Sequence, residues 1–406
     1  MKHQHIIRIA IVLAGTLVFM WVVPALVKLG ASSPQRYPFV YYSSVIEQFC
    51  FRETAGKTTV RRDASGKEYT EAQFDSIMPM LYYRQLSVNG AMPDSIQGRA
   101  VTMPEIRQHS FTYRYTPVKT ASPSQGLYVM YESMPRRLTI ESPGDVFRMK
   151  DGIAFVDIAT NTVNEEKSAL FAAELEKRGY RFPAQWSQGV ISTKKPYDEG
   201  YFSLDAEGKL FHIKMVNGRP FIRDTRASDT VEVAYFDMSL VADKRFYGFL
   251  YDTSGGMYMV ESPGYRLIKA ELPPIDLKRD EVMIMANMFF WTVSVTTPEG
   301  RHYYALENRR LGKVDETFIA ATPDGWSKSA KWLFPVYLTF ENHNSEYLKP
   351  ALTFTAWTAW AGNLAAAVLF VLFARRKRKN LLRQGGYILI AGIAGLIAIL
   401  ITPDEN

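Results

Sequence analysis

The sequence predicts a mainly β domain with a few helices, propeller-like or an antiparallel β meander, lying outside the cytoplasm and carried by three transmembrane helices. Three features predict it. Apolar runs occupy residues 6–29, 351–374 and 386–402. Between the last two, Arg375, Arg376, Lys377, Arg378, Lys379 and Arg383 place six positive charges within nine residues. The interval 126–350 is a succession of short segments rich in Val, Tyr, Phe and Thr, separated by Gly, Asp, Asn and Pro, as strands joined by tight turns would be.

The basic stretch gives every other segment a side. Lys and Arg next to a span are retained in the cytoplasm, so 375–385 is a cytoplasmic loop and the tail 403–406 returns outside. Lys2 and Arg8 hold the tail 1–5 inside, and the run 6–29 then crosses outward. That run is longer than the apolar core of a signal peptide and the region of Ala31 makes a weak cleavage site, so it reads as an uncleaved anchor. Residues 30–350 are then extracytoplasmic, with an N-terminal α+β part (30–125) and a β-rich, repeat-like part (126–350). Tyr347, Trp357 and Trp360 mark the outer end of the second span, where aromatic rings favour the interface. No Asp, Glu, Lys or Arg lies within the second or third span, which argues against an ion path through this chain. Gly392 and Gly395 in the third span give another helix room to approach closely, a contact point for a partner's spans.

The net charge of +7 suggests a nucleic-acid partner until it is located. Outside 29–350 there are nine positive residues (Lys2, Arg8, Lys28 and the six of the loop) and two negative ones (Asp404 and Glu405), so residues 29–350 are neutral. A nucleic-acid binder needs a basic face on its large domain, and no nucleic acid is expected here. The cytoplasmic charges suit anionic lipid headgroups, or a cytoplasmic subunit. The single cysteine, Cys50, has no partner for an internal disulfide and reads as a small apolar side chain between Phe49 and Phe51.

Along the large domain, 40–53 and 57–63 read as strands, with a turn at 64–66. Thr70 and Gln73 form a capping box for a helix from Glu71, which Pro79 interrupts before a second helical piece at 80–86. Residues 91–125 are proline-rich and read as loop with short strands. Strands are expected at 127–132, 137–141, 146–149 and 153–158, then a helix capped by Asn164 and ending at Gly179. Glu165 and Glu166 fall in its first turn, where they complement the helix dipole. A recurring hairpin follows: 201–204 with 209–214, 246–251 with 257–261, and 291–295 with 301–306. Their turn glycines, Gly208, Gly256 and Gly300, are 48 and 44 residues apart. A period of that size, made of strands, points to propeller-like blades. Finally 331–340 alternates and is aromatic, as a strand would be.

No motif of catalysis accompanies this pattern. There is no paired His at metal spacing, no CxxC, no nucleophile elbow and no phosphate-binding loop. No cofactor is implied. His212 and His302 lie on equivalent hairpin arms, four and two residues after their glycines. Both offsets are even, so the pair is a candidate shared site. Asp205 and Asp252 read as turn formers.

Several stretches together resemble a known family: Phe39-Val40-Tyr41-Tyr42-Ser43, the run from Ser76 to Leu86, Tyr131-Glu132-Ser133-Met134-Pro135, the run from Thr162 to Ser168, and Tyr197-Asp198-Glu199-Gly200-Tyr201-Phe202. The resemblance is to an uncharacterised family of membrane-anchored proteins from Bacteroides-like bacteria that carry a domain of unknown function. It implies a place in the bacterial inner membrane with the large domain in the periplasm, and an association with ABC-transporter permease and ATPase subunits. It implies no catalytic residues. The expectation is therefore a non-enzymatic accessory or binding protein of a transport or envelope complex. The alternative is an envelope hydrolase or sensor on a propeller-like scaffold.

Overall fold

The computed structural model describes residues 2–33, 35–121, 126–136, 139–322, 324–340, 348–374 and 380–402. The chain forms two compact units, one made of Met1–Arg36 with Ala321–Asn406, the other of Tyr37–Ala320. Helix α1 (Lys2–Ala31) opens the first.

The second unit begins with sheet I, in which β1 (Phe39–Tyr42), β2 (Phe49–Ala55) and β3 (Thr58–Asp63) are antiparallel neighbours. Helices α2 (Glu71–Ile77) and α3 (Pro79–Val88) follow. The Thr70–Gln73 capping box starts α2 as its sequence predicts, and Pro79 sits at the first position of α3, where its missing N–H costs nothing. The stretch 91–125 is richer than expected. It holds the short ladder of β4 (Ser95–Ile96) with β5 (Arg99–Ala100), helix α4 (Met103–His109), strand β6 (Phe111–Tyr115) and one helical turn, α5 (Val118–Ala121). Sheet II pairs β7 (Asp145–Met149) with β8 (Ile153–Asp157), followed by α6 (Glu165–Lys177), whose cap is Asn164.

Three meanders of four antiparallel strands come next. Sheet III is β9 (Trp186–Gly189), β10 (Tyr201–Leu204), β11 (Leu210–Val216) and β12 (Arg219–Asp224). Sheet IV is β13 (Val233–Met238), β14 (Phe246–Asp252), β15 (Met257–Glu261) and β16 (Leu267–Lys269). Sheet V is β17 (Glu281–Ala286), β18 (Phe290–Thr297), β19 (Gly300–Glu307) and β20 (Lys313–Ala320), and β6 joins it as a fifth strand beside β17. All three recurring hairpins are present. One turn chemistry repeats in sheets I, III and IV. Oδ1 of Asp63, Asp205 and Asp252 each accepts the backbone N–H two and four residues on, at 2.7 to 3.1 Å. A short carboxylate that satisfies two turn amides holds the hairpin closed.

The sheets are buried on both faces because each stacks on its neighbours. Strand alternation sends successive side chains to opposite sides. In sheet III, Tyr201, Phe211 and Ile213 pack with Phe147 and Phe155 of sheet II and Phe171 of α6. Phe202, Leu204 and Leu210 face the other way, onto Phe236 and Leu250 of sheet IV. Phe249 and Tyr251 of sheet IV meet Trp291 and Val293 of sheet V. Phe290 and Tyr303 of sheet V pack with Val40, Tyr42 and Phe49 of sheet I, and Tyr42 donates its N–H to Oγ1 of Thr292 at 2.9 Å. The stacking order is therefore II, III, IV, V, I. Cys50 and Tyr41 on the far face of sheet I are covered by Phe74 and Met78 of the α2–α3 segment. Cys50 is fully buried and burial pushes its thiol up to about 12, which makes it inert.

The first unit is completed by α7 (Gly325–Leu333), β21 (Val336–Thr339), β22 (Ala351–Phe354), α8 (Ala359–Ala374) and α9 (Leu381–Ile401). The expected strand 331–340 is strand only over Val336–Thr339, because Asp324 accepts from the Ser327 N–H and starts a helix that runs through Leu333. Among the described residues two helices, Ile6–Ala31 and Leu381–Ile401, are long and apolar enough to cross a membrane, not three. The run expected as the second span opens with β22, which pairs with β21. The helix that remains has 16 residues, about 24 Å against the roughly 30 Å of a bilayer core. Its β-branched Thr353 and Thr355 and the preceding Pro350 favour the strand. The third expected span, by contrast, is longer than predicted and starts at Leu381.

Candidate functional site

A cleft of about 690 Å³ opens where the outer edge of sheet IV approaches the β19–β20 turn of sheet V. Six cationic side chains line it, Arg99, Arg245, Arg266, Lys269, Arg309 and Arg310, against one carboxylate, Glu261. Met259, Leu267 and Ile268 supply an apolar strip along β15 and β16.

Each cation is placed by local structure. Arg245 enters β14 directly after Lys244, which holds a left-handed φ of 54°, and its own N–H is bound to Asp243 Oδ1 at 3.2 Å. Its guanidinium donates to the backbone oxygen of Asn308 at 3.0 Å and to Asn308 Oδ1 at 2.7 Å. Asn308 is fixed in turn by the Trp291 indole N–H at 2.8 Å and by its own amide donating to Met288 O at 3.0 Å. Arg245 thus lies held over the Trp291 ring, 5.3 Å from its centroid. Its Nε is buried without a hydrogen bond, with Asp243 Oδ2 at 3.4 Å. Burial lowers the Arg245 guanidinium from its ordinary value, and Asp243 acts in the opposite direction. Asp243 Oδ2 also lies 3.0 Å from Nδ1 of His109, at the end of α4, and His109 lines the same cleft.

The rim is looser. The Glu307 carboxylate accepts the backbone N–H groups of Arg309 at 3.0 Å and Arg310 at 2.7 Å, which fixes the turn and leaves both side chains outward. Among the described residues no ion pair involves the side chain of Arg309, Arg310 or Lys269. Glu261 is held by Arg266 through two hydrogen bonds, 2.9 and 3.0 Å long. The one carboxylate of the walls is therefore already neutralised, and the cleft keeps an excess of positive charge on a domain whose sequence is neutral.

The residues singled out from sequence lie elsewhere. His212 is fully buried between sheets III and IV, stacked on Phe202 at 4.4 Å. Its Nε2 lies 2.7 Å from the Glu199 carbonyl, which can only accept, so Nδ1 accepts from the Tyr265 hydroxyl at 2.8 Å. Burial holds its imidazole down to about 3. His302 is on sheet V, packed against Phe318 at 4.3 Å and on the same face as Tyr304. Sheet IV stands between the two, so the structure does not bring the predicted pair together. The two arms turn their histidines to opposite sides because the hairpin loops differ, five residues at 205–209 against two at 298–299, and a one-residue change of count reverses a strand's faces.

Of the basic loop, Arg375, Arg376, Lys377, Arg378 and Lys379 lie outside the described residues. Arg383 is described, on α9, and lines a pocket of about 200 Å³ with Arg8 and Tyr387. Gly392 breaks α9 with a φ of 62° and is buried against Asn363 of α8, where an added Cβ would lie 2.5 Å from Asn363 Oδ1. Gly395 is also buried, beside Tyr387. Gly392 thus serves the packing of α9 on α8 within this chain. The cleft escaped the sequence reading because its residues come from five separate segments. The Arg309-Arg310 doublet in a turn was the local signal that could have flagged it.

Among solved structures, the Cps50 (Swd1) β-propeller domain of Myceliophteria thermophila is 8% identical over 70% of this chain and 89% of that one, with a TM-score of 0.23. PorZ, a surface component of the type-IX secretion system of Porphyromonas gingivalis, is 10% identical over 72% of this chain and 33% of its own length, with a TM-score of 0.22. The dihydro-heme d1 dehydrogenase NirN is 12% identical over 72% of this chain and 85% of that one, with a TM-score of 0.19. Likenesses at these scores carry no argument about fold or activity. No curated protein matches the chain. Residues 39–306 match the model of a domain of unknown function (DUF4857), and the chain belongs to that family.

Proposed function

We propose that this chain is a non-enzymatic, membrane-anchored accessory or binding protein of a transport (ABC-type) or envelope complex in the bacterial inner membrane. Its large unit would be an extracytoplasmic, propeller-like scaffold. The observation that carries the reading is α1. Its aliphatic side chains, Ile7, Ile9, Ile11, Leu13 and Leu17 among them, are exposed over most of the helix, apart from the stripe through Thr16 and Pro24. Only 6% of its most apolar window is buried. A helix apolar on every side is stable in lipid. The stacked, hairpin-built sheets supply the propeller-like part of the reading, and the solvent-open cationic cleft supplies a binding surface.

Solubilisation in a mild detergent followed by affinity purification tests the partner. ATPase or permease subunits should co-purify, and a chain that purifies alone overturns the accessory role. Replacing Arg375, Arg376, Lys377, Arg378, Lys379 and Arg383 by Gln should scramble the orientation of the C-terminal segments in reporter fusions, since the charge bias that fixes them would be gone. Unchanged orientation would remove the topology.

One observation favours a second reading, an envelope hydrolase. His109 lines the cleft with its Nδ1 held by Asp243, the arrangement that orients a general base. Purified chain that hydrolyses p-nitrophenyl phosphate, with the activity lost in His109→Gln, would establish it. No turnover above buffer would leave the binding reading.

A further inference from the structure

We infer that the cleft between sheets IV and V is a binding site for a multiply charged phosphate group, a pyrophosphate or polyphosphate ester, carried on a small molecule or at the head of a lipid. The inference deepens the binding reading above by naming what the scaffold holds, and it rests on that reading. Three features of the cleft lead to it.

The first is charge. Six cations line a volume of about 690 Å³, and with Arg266 paired to Glu261 and Arg245 set against Asp243, four of them, Arg99, Lys269, Arg309 and Arg310, keep no carboxylate among the described residues. The volume is that of a small-molecule site. Like charges gathered at this density repel one another, and a polyanion relieves that repulsion. A monoanion would leave most of it in place.

The second is geometry. Three of those four are arginines, Arg99, Arg309 and Arg310, whose planar forks can donate two parallel hydrogen bonds to phosphate or carboxylate oxygens, whereas Arg245 and Arg266 spend theirs on Asn308 and Glu261. Forks that converge from β5 and from the β19–β20 turn suit the tetrahedral oxygens of phosphate, which present acceptors in every direction.

The third is preorganisation. Arg245 is locked by Asn308 and Trp291, so its side chain has little rotamer freedom left to lose when a ligand arrives. Arg309 and Arg310 stand on a turn clamped by Glu307, with their side chains outward. The site is thus a fixed cation at the base with adjustable ones at the rim. The apolar strip of Met259, Leu267 and Ile268 leaves a place for the non-phosphate body of the ligand.

The test uses the full chain in detergent and isothermal titration with inorganic pyrophosphate at about 50 mM salt. The expected result is saturable binding that weakens as salt rises, because partly exposed charge pairs are screened. The double variant Arg309→Gln with Arg310→Gln should bind at least about tenfold more weakly, two guanidinium contacts being lost at roughly 1.4 kcal/mol per factor of ten. Both residues are exposed, so the variant keeps the fold. Lys57→Gln, at an exposed charge in the β2–β3 turn, should bind like the wild type. Citrate, with comparable charge but planar carboxylates, should bind more weakly than pyrophosphate.

Absence of pyrophosphate binding overturns the inference, as does equal binding by the double variant, or citrate binding as tightly. A competition arm separates the two sources. Displacement of pyrophosphate by micelles doped with a diphosphate-headed lipid assigns the site to a lipid head. Persistence of binding assigns it to a soluble ligand, and either outcome supports the inference. Failure here is distinguishable from failure of the accessory role, because co-purification of subunits is scored separately and needs no ligand.

Discussion

At the scale of single residues, burial decides chemistry before motif does. His212 carries the residue type of an acid–base catalyst, yet both its ring nitrogens are engaged and it stacks on Phe202 in the joint between two sheets. Its imidazole is held down to about 3, first by burial, with the Glu199 carbonyl pulling upward and Lys214 downward. An unfolded His titrates near 6.5. Between these values the unfolded chain binds a proton that the folded chain does not, so stability is complete above pH 6.5 and falls as pH drops through the window. Denaturant titrations from pH 7.5 to 5 should show a loss of up to about 1.4 kcal/mol per pH unit from this residue. His212→Gln should start about 1–3 kcal/mol less stable and give a flatter profile. A wild-type profile as flat as the variant's would refute this account. Asp63 and Asp252 act at lower pH. Burial pushes their carboxyls up, but hydrogen bonds from Ser65 and Tyr69, and from Ser254, Gly256 and Tyr258, prevail and lower them. Their contribution is present above the unfolded carboxylate value and lost as pH falls through the folded one.

At the scale of elements, what was legible in the sequence was local. The capping box at Thr70, the Asn164 cap and the hairpins of sheets III, IV and V are set by residues within a few positions of one another. Strand β6 was not legible, since the strand it pairs with, β17, lies about 170 positions along the chain. Nor was β22, because hydropathy cannot distinguish an apolar strand from the start of an apolar helix. Of the two glycines of α9, Gly392 gives its room to Asn363 of α8 in the same chain, while Gly395 lies beside Ala391 and Tyr387 of its own helix. That packing can be probed directly. Gly392→Ala should lower the melting temperature of the detergent-solubilised protein, since the new Cβ would meet Asn363 and the φ of 62° disfavours any side chain. Asn363→Ala in the same chain should return part of the loss. Strict additivity of the two changes would show that the close approach does not matter.

At the scale of the whole molecule, the joints between sheets set a gradient of stability. Sheets III, IV and V are covered on both faces by aromatic layers, whereas sheet II is a two-stranded ladder. Regions with few buried contacts open first. Amide hydrogen exchange should therefore be slowest in β10, β14 and β18 and about tenfold or more faster in β7. Equal protection throughout would mean that the sheets unfold as one. The cleft belongs to this scale too. Its charges are scattered from Arg99 to Arg310 in sequence, and only the stacking of sheet IV against sheet V gathers them, so no local pattern could announce it.

The packing of sheet I on sheet V has one more consequence. Where the chain enters the large unit, Tyr37 lies under Arg301, 4.4 Å from its ring centroid, and Pro38 accepts a hydrogen bond from Tyr303 at 3.4 Å. Where it leaves, Ala320 pairs with Gly300 on that same strand. Way in and way out are thus adjacent, and everything between them is a detachable cassette. A gene could lengthen, exchange or duplicate the sheets between these two points while the flanking segments kept their spacing.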